Sequence, residues 1–245
     1  MKRFGLIGKK LGHSFSASYF TEKFEREGLA EECCYDLYEL ADIEQVKEFL
    51  LTPGLAGFNV TIPYKQQIIP YLDSLDEKAA GVGAVNCVRP EADGRLVGYN
   101  TDIVGIEVSL NKLIGDAEID GALILGTGGA AQAVKYVLRE RGIAYKVLSR
   151  EAGKADLTYD EVDEAVMESH HLIINCSPVG MYPRVDESPN IPYAMLTPSH
   201  YLFDLVYNPL QTRFMLLGIE RGATALSGID MLYAQAEAAW EIWNR

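Results

Sequence analysis

The sequence predicts an α/β protein of two domains, each built around a mainly parallel sheet. Three observations carry that expectation. Strand-like and helix-like segments alternate from one end of the chain to the other. The 245 residues, 48% apolar and 23% charged, have an ordinary globular composition and suffice for one large domain or two small ones. A glycine-rich turn at 126–131 also separates an apolar strand pattern from a helical one.

The elements follow in order. "RFGLIG" reads as a strand that runs into the polar turn "KKLGHS". In "SASYFTEKFEREGL", Tyr19, Phe20 and Phe24 recur at helical spacing behind Ser16, an N-cap candidate. "CYDLYEL" alternates like a half-buried strand, and "ADIEQVKEFLL" sets Ile43, Val46, Phe49 and Leu50 on one helical face. "LAGFNVT" is the next strand, and Pro63 suits the first turn of a helix that "YKQQIIPYL" would build. The strand ends in an amide, a hydroxyl and an ammonium (Asn59, Thr61, Lys65), as a polar turn or a substrate pocket would. A short helix "DEKAA" precedes "AVNCVR" and "RLVGYN", two strands joined at Asp93-Gly94 in a hairpin signal. "TDIVGIEVSLNKLIG" reads as a connecting helix with Thr101 or Asp102 at its start. After the glycine-rich turn come a strand "YKVLSR", a helix "VDEAVMES", strands "HLIINCS" and "YLFDLVY", and a helix "QTRFMLLGIERG". "YPRVDESPNIP" is a Pro-rich loop, and the last helix, 228–243, puts Ile229, Leu232, Ala236, Trp240 and Trp243 on one stripe.

Charge and composition exclude several classes of function. A formal net charge of −13 argues against nucleic acid or an anionic membrane as the main partner. Anionic ligands would have to be held by helix N-termini and a few placed cations. No apolar run approaches the roughly 20 residues of a membrane span, and "MKRFGLIGKK" lacks the apolar core of a signal peptide. Cys33, Cys34, Cys87 and Cys176 show no CxxC spacing and are read as reduced, mostly buried thiols of a cytoplasmic chain. His170 and His171 are adjacent and point apart on any regular element, so no metal site is expected. Met181 and Met231 are read as apolar packing.

In "LILGTGGAAQAV", Gly126, Gly128 and Ala131 fit G-x-G-x-x-[G/A] between strand and helix. The first glycine permits the tight turn, the second lets backbone approach a pyrophosphate, and the small third residue lets helix and strand pack closely. The helix N-terminus attracts the phosphates. This is the fingerprint of a Rossmann-type, doubly wound nucleotide domain. An NAD site would carry Asp or Glu about 20 residues on. Here the next strand ends in Ser149 and Arg150, with Lys154 after them, a hydroxyl and two cations that suit the 2′-phosphate of NADP. Glu151 sits among them against the trend, and the alternative is a solvated surface Arg and Lys.

Together the segments resemble the shikimate dehydrogenases of the shikimate/quinate dehydrogenase superfamily, NADP-dependent enzymes of aromatic amino-acid biosynthesis. The resemblance runs the length of the chain through "GLIG…GHSFS", "NVTIPYK", "GAVN", "GYNTD", "GTGGAA", "NCSPVGM", "DLVYNP" and "SGIDMLYAQA". It implies a substrate-binding domain over 1–102, completed by the C-terminal helix 228–245, and an NADP-binding Rossmann domain over 103–227. It implies reversible reduction of 3-dehydroshikimate by NADPH in a cleft between them, on the route to chorismate. By the same resemblance Ser14 and Ser16 would hold the substrate carboxylate, and Thr61, Lys65, Asn86 and Asp102 would surround the ring hydroxyls. Tyr207 and Gln235 would close the far side. Gly126, Thr127, Gly128, Gly129 and Ala130 would bind the pyrophosphate, and Ser149, Arg150 and Lys154 the adenosine end. Glu77, Leu205 and Gly228 match positions lining the nicotinamide side.

The chemistry agrees with that assignment. A ketone reduced by hydride needs a proton for the developing alkoxide, which Lys65 can supply while stabilising the charge. A free lysine titrates at about 10.4, so Lys65 and Asp102 are assigned as one acid–base unit. Simpler readings stand beside this one. The serines could only cap a helix, Lys65 could be a solvated first-turn lysine, Asp102 a carboxylate favoured by the helix dipole, and Gln235 an exposed helix residue. The sequence also departs from the family pattern. The usual proline after the serines is Ala17, the usual histidine-asparagine pair is Tyr19-Phe20, and the usual asparagine-arginine-threonine is Ser149-Arg150-Glu151. The alternatives in function are a quinate/shikimate dehydrogenase with relaxed NAD/NADP use and a non-catalytic NADP-binding regulator. The partners expected are small molecules, with no nucleic acid and no membrane, and the chain a monomer or a homodimer.

Overall fold

Five consecutive buried residues, Phe4 to Gly8, mark β1 (Lys2–Gly8) as a strand covered on both faces, as central parallel strands are. The computed structural model describes residues 1–12 and 14–245. The chain divides into two units, Met1–Thr101 with Ala236–Arg245, and Asp102–Gln235.

The first unit holds β1, α1 (Phe15–Arg26), β2 (Cys33–Glu39), α2 (Val46–Phe49), β3 (Leu55–Val60), β4 (Ser74–Leu75), α3 (Glu77–Val82), β5 (Cys87–Pro90) and β6 (Leu96–Tyr99). Its sheet runs β2-β1-β3-β5-β6-β4. The strands around β1 are parallel, and β3, β5 and β6 pair antiparallel, β5 and β6 as the hairpin expected at Asp93-Gly94. Gly94, at φ +86°, takes the left-handed position there. The core is aromatic: Phe20 stacks on Tyr35 with ring centroids 4.6 Å apart, and Phe4 on Trp243 at 4.9 Å. Trp243 fits because residue 57 is glycine. A Cβ there would stand 2.3 Å from the indole.

The second unit holds α4 (Asp102–Ile114), β7 (Gly121–Leu125), α5 (Gly129–Glu140), β8 (Ala144–Ser149), β9 (Leu157–Thr158), α6 (Glu164–Ser169), β10 (Leu172–Asn175), β11 (Tyr201–Asp204), α7 (Arg213–Ile219) and β12 (Thr224–Ser227). The last helix, α8 (Ile229–Trp243), begins in it and ends in the first unit. All six strands are parallel in the order β12-β11-β10-β7-β8-β9. Counted within the unit, this is the doubly wound order 3-2-1-4-5-6 in reverse, with its switch point between β7 and β10. Both of those strands are buried at every position.

Four expectations are corrected. No helix runs from Pro63. The backbone makes isolated turns, with Ile68 N–H donating to the Tyr64 carbonyl at 2.9 Å, and only a 3-10 turn forms at Ile69–Tyr71. Pro70 contributes to this, since it has no N–H with which to continue a helix from the preceding turn. The helix expected over 41–51 shrinks to a 3-10 turn and the single turn of α2. Asp42 starts it in a capping box with Gln45, and Pro53 and Gly54 (φ +78°) follow its end. Ser14, not Ser16, occupies the N-cap position of α1, and its side chain makes no capping bond. Met181 does not pack: it is 42% exposed, whereas Met231 is buried.

In the Pro-rich loop, Ile191 is buried in the core of the second unit. All four cysteines are free thiols, Cys33 and Cys87 buried and the other two half-buried. No helix among the described residues is long and apolar enough to cross a membrane.

Candidate active site

In the first unit the candidate residues cluster where β1 and β3 end. Thr61 follows β3, and its N–H donates to the Ile7 carbonyl at 2.9 Å. Beside it β1 must end in glycine. A Cβ on Gly8 would stand 2.7 Å from the Thr61 methyl and 2.6 Å from Leu11. Four residues on, Lys65 is half-buried, and its carbonyl accepts the Val85 N–H at 2.7 Å. Tyr64 and Ile68, buried on either side of Lys65, anchor this turn, and the Tyr64 hydroxyl donates to the Leu40 carbonyl at 2.6 Å. Ser14 and Ser16 are half-buried at the start of α1.

Asn86 sits in a buried polar chain that the sequence reading did not single out. Its carboxamide donates to Thr101 Oγ1 at 3.0 Å and accepts the Thr101 N–H at 2.7 Å. Its carbonyl accepts from the Asn59 carboxamide at 3.1 Å, and Asn59 in turn accepts from the Tyr35 hydroxyl at 2.8 Å. The signal was present in "NVT" and "NTD", polar residues inside strand ends, where a buried amide must find partners. Asn59 therefore faces the interior of its unit, whereas Thr61 and Lys65 lie on the turn beyond it.

The remaining substrate candidates lie in the second unit. Asp102, buried at 4% exposure, is the first residue of α4, where the helix dipole favours a carboxylate. Gln235 is half-buried on α8 and donates to the Leu232 carbonyl at 3.1 Å. Tyr207 is half-buried, and burial raises its hydroxyl pKa above the usual range.

The cofactor candidates gather at the carboxyl edge of the parallel sheet. Gly126 turns the chain out of β7 at φ +110°, a conformation only glycine adopts without strain. Gly128 is the N-cap residue of α5, and nothing lies within 4 Å of where a Cβ would point. Backbone N–H groups at Gly129 and Ala130 open the 12-residue helix, and Ala131 is fully buried against the sheet. An open glycine, an unobstructed helix N-terminus and a buried small residue fit a dinucleotide's pyrophosphate, with Thr127 exposed between the glycines. The site lies at the switch point of the sheet, where such folds bind ligands.

The end of β8 answers the question posed by Glu151. Lys154 holds the Glu151 carboxylate at 2.6 Å, both side chains being well exposed, so the acid's charge is offset locally. Arg150 is exposed beside them. Ser149 is buried at 9% exposure, and its hydroxyl accepts the Glu151 N–H at 3.1 Å. Leu205 and Gly228 meet closely: a Cβ on Gly228 would stand 2.3 Å from the Leu205 carbonyl oxygen. Glu77 belongs to the first unit, on the exposed first turn of α3.

Comparison with known proteins gives this arrangement a family. Residues 6–88 match the profile of the shikimate dehydrogenase substrate binding domain. A shikimate dehydrogenase (NADP(+)) of Clostridium beijerinckii is 36% identical over 256 residues, covering 100% of this chain and 92% of its own. A shikimate dehydrogenase solved in complex with NADP+ superposes with a TM-score of 0.87 at 32% identity, over 99% of this chain and 90% of the other. The enzyme of Thermus thermophilus, solved with NADP(H) and shikimate, gives 0.85 at 31% identity, over 99% and 93%. With both sheets, the glycine-rich turn and the full length of the chain accounted for, the protein belongs to the shikimate dehydrogenase family.

Proposed function

We propose that the chain catalyses the reversible NADPH-dependent reduction of 3-dehydroshikimate to shikimate, a step toward chorismate and the aromatic amino acids. The observation that carries this reading is full-length similarity to an NADP(+)-dependent shikimate dehydrogenase at 36% identity. In this reading residues 1–102 with the C-terminal helix 228–245 form most of the substrate site, joined by Tyr207, and residues 103–227 supply most of the dinucleotide site.

Each residue takes a role suited to its chemistry. Ser14 and Ser16 hold the substrate carboxylate, and Thr61 and Asn86 the ring hydroxyls, with Tyr207 and Gln235 on the far side. Gly126 to Ala130 carry the pyrophosphate, while Ser149, Arg150 and Lys154 serve the 2′-phosphate. Leu205, Gly228 and Glu77 border the nicotinamide. When bound, NADPH supplies the hydride that reduces the carbonyl carbon. Lys65 stabilises the oxygen as it becomes negative and delivers a proton to it. Lys65 and Asp102 act as one acid–base unit sharing that proton. Every named group comes from one chain, so a monomer or a homodimer satisfies the reading. The cytoplasm is the compartment we assign, since four free thiols persist under reducing conditions.

The deciding experiment follows NADPH consumption with 3-dehydroshikimate, and the reverse rates with shikimate and quinate, each with NADP and NAD. Shikimate with NADP should give the highest kcat/KM. Comparable efficiency on quinate with NAD would overturn the assignment, and cofactor binding without turnover would make the chain a regulator.

A further inference from the structure

At the carboxyl edge of the parallel sheet stands a buried carboxylate that neither the glycine-rich turn nor the acid–base unit uses. Asp204 ends β11 with 0% exposure, and Asn175, which ends β10, and Thr212, the N-cap of α7, are buried to the same degree. One Asp204 oxygen accepts from the Asn175 carboxamide at 2.9 Å and from the Val206 N–H at 3.0 Å. The other accepts the Thr212 hydroxyl at 2.6 Å. The Asn175 oxygen then accepts both the N–H and the hydroxyl of Ser177, at 3.1 and 2.7 Å.

The two turns fixed in this way flank the proposed cofactor. The turn after β10 lies against the glycine-rich turn, with Ser177 Cβ and N each 3.5 Å from where a Cβ on Gly126 would stand. The turn after β11 carries Leu205, whose carbonyl packs against Gly228. Val206 closes that turn, donating its N–H to Asp204 and accepting the Gly228 N–H at 3.1 Å. One side chain thus ties together the exits of two adjacent strands, one of them at the switch point.

Three donors converge on Asp204 from three segments, and an acceptor-only group satisfies them all at once. An amide in its place would aim its own N–H at one of them. The charge is costly to hold there. Burial pushes the Asp204 carboxyl up to about 6 even though its three hydrogen bonds favour the ionised form. A capping role alone does not call for a buried charge, since a neutral Ser or Asn serves a turn as well.

We propose that Asp204 is a positioning residue for the nicotinamide half of the cofactor, holding the 175–177 and 204–206 turns in the geometry that NADPH meets. The proposal rests on the NADP reading of this edge. It requires the turns to be ordered before binding, so that ordering them does not weaken affinity.

The test uses the full chain with Asp204→Asn and, as a milder change, Thr212→Val, which removes one donor and leaves the carboxylate. Dissociation constants for NADPH are read from nicotinamide fluorescence without substrate, and those for 2′,5′-ADP, which lacks the nicotinamide, from calorimetry. Asp204→Asn should raise the NADPH constant about tenfold and leave the 2′,5′-ADP constant within about twofold. Thr212→Val should move the NADPH constant in the same direction by a smaller factor and carries the test if Asp204→Asn does not fold. Equal rises for both ligands would mean general loosening of the unit and overturn the proposal, as would NADPH constants unchanged in both variants. Failure of the unsubstituted chain to bind either ligand would instead strike at the NADP reading itself.

Discussion

At the scale of single residues, the assignment rests on a few side chains whose loss should be separable. Lys65→Ala should lower turnover by about a hundredfold to ten-thousandfold, the usual contribution of a general acid. Its NADPH dissociation constant should stay near that of the unsubstituted chain, because Lys65 belongs to the first unit and the pyrophosphate turn to the second. Turnover within a few-fold of the unsubstituted chain would remove Lys65 from the chemistry. Arg150 tests cofactor choice. With Glu151 held by Lys154 at 2.6 Å, the exposed Arg150 is the cation best placed to meet a 2′-phosphate. Arg150→Ala should raise the KM for NADP about tenfold, as loss of a charge-assisted hydrogen bond does. The KM for NAD should change far less, and equal shifts would show that Arg150 does not read the phosphate. Several candidates stand in short signatures at strand exits, as Thr61 does after β3, Gly126 after β7, Ser149 at the end of β8 and Leu205 after β11. The roles of Asn59, Tyr35, Asn175 and Asp204 were not legible in the sequence, because they come from distant partners. Tyr35 and Asn59 stand 24 residues apart, and Asn175 and Asp204 stand 29 apart. Asp204 left one trace, a charge at the end of the apolar "YLFDLV".

At the scale of elements, the sequence pattern identified the long helices and most of the short strands and helices, and missed β4, β9 and β12. The helices α1, α4, α5 and α8, of 12 to 15 residues, were all anticipated. β12, "TALS", was not singled out in the sequence, and it pairs in parallel with β11, Tyr201 opposite Thr224. β4 and β9, two residues each, are legible only as partners of β6 and β8. The segment 63–72 was expected to be helical because Pro63 suits a first turn, but Pro70, which has no N–H to continue a helix, stands inside it. The docking of α8 shows the opposite case, where a whole element depends on one position. In the first unit Glu237 on α8 takes a hydrogen bond from Tyr19 and an ion pair at 2.9 Å from the buried Lys23, both on α1. Trp243 donates to the Val88 carbonyl at 3.1 Å and lies against Gly57 of β3. Gly57→Ala would drive a methyl into the indole, so the tryptophan or the strand must shift. Such overpacking costs about 1–3 kcal/mol. The denaturation midpoint followed by tryptophan fluorescence should fall accordingly, and an unchanged midpoint would show that the indole can move aside freely.

At the scale of the whole molecule, pH acts on stability through buried groups pulling in opposite directions against a net charge of −13. His200 is buried at 3% exposure, with one ring nitrogen accepting the Thr197 N–H at 3.1 Å and the other facing the Met167 carbonyl at 3.2 Å. The His171 ring lies 5.2 Å away, itself 3.8 Å from Asp120. Burial lowers the pKa of His200, and likewise that of His170. The unfolded chain therefore takes up protons that the folded chain refuses as pH falls through about 6.5. Both histidines make the protein less stable on acidification from that point down. Asp204 does the reverse. Its folded value, about 6, lies above the ordinary 3.8, so its contribution declines as pH rises from 3.8 to 6 and is flat above. Relief of self-repulsion among the excess carboxylates also favours the folded state on mild acidification. The net slope near pH 6 is thus a balance, and a single stability curve would not reveal its parts. A difference does. His200→Asn keeps an acceptor for the Thr197 N–H and removes the titrating ring. The stability of the unsubstituted chain minus that of the variant, from urea unfolding at pH 7.5, 6.5 and 5.5, should become less favourable toward acid by up to about 1.4 kcal/mol per pH unit, the ceiling for one proton. A difference that stays constant across that range would mean that His200 titrates alike in the folded and unfolded chain.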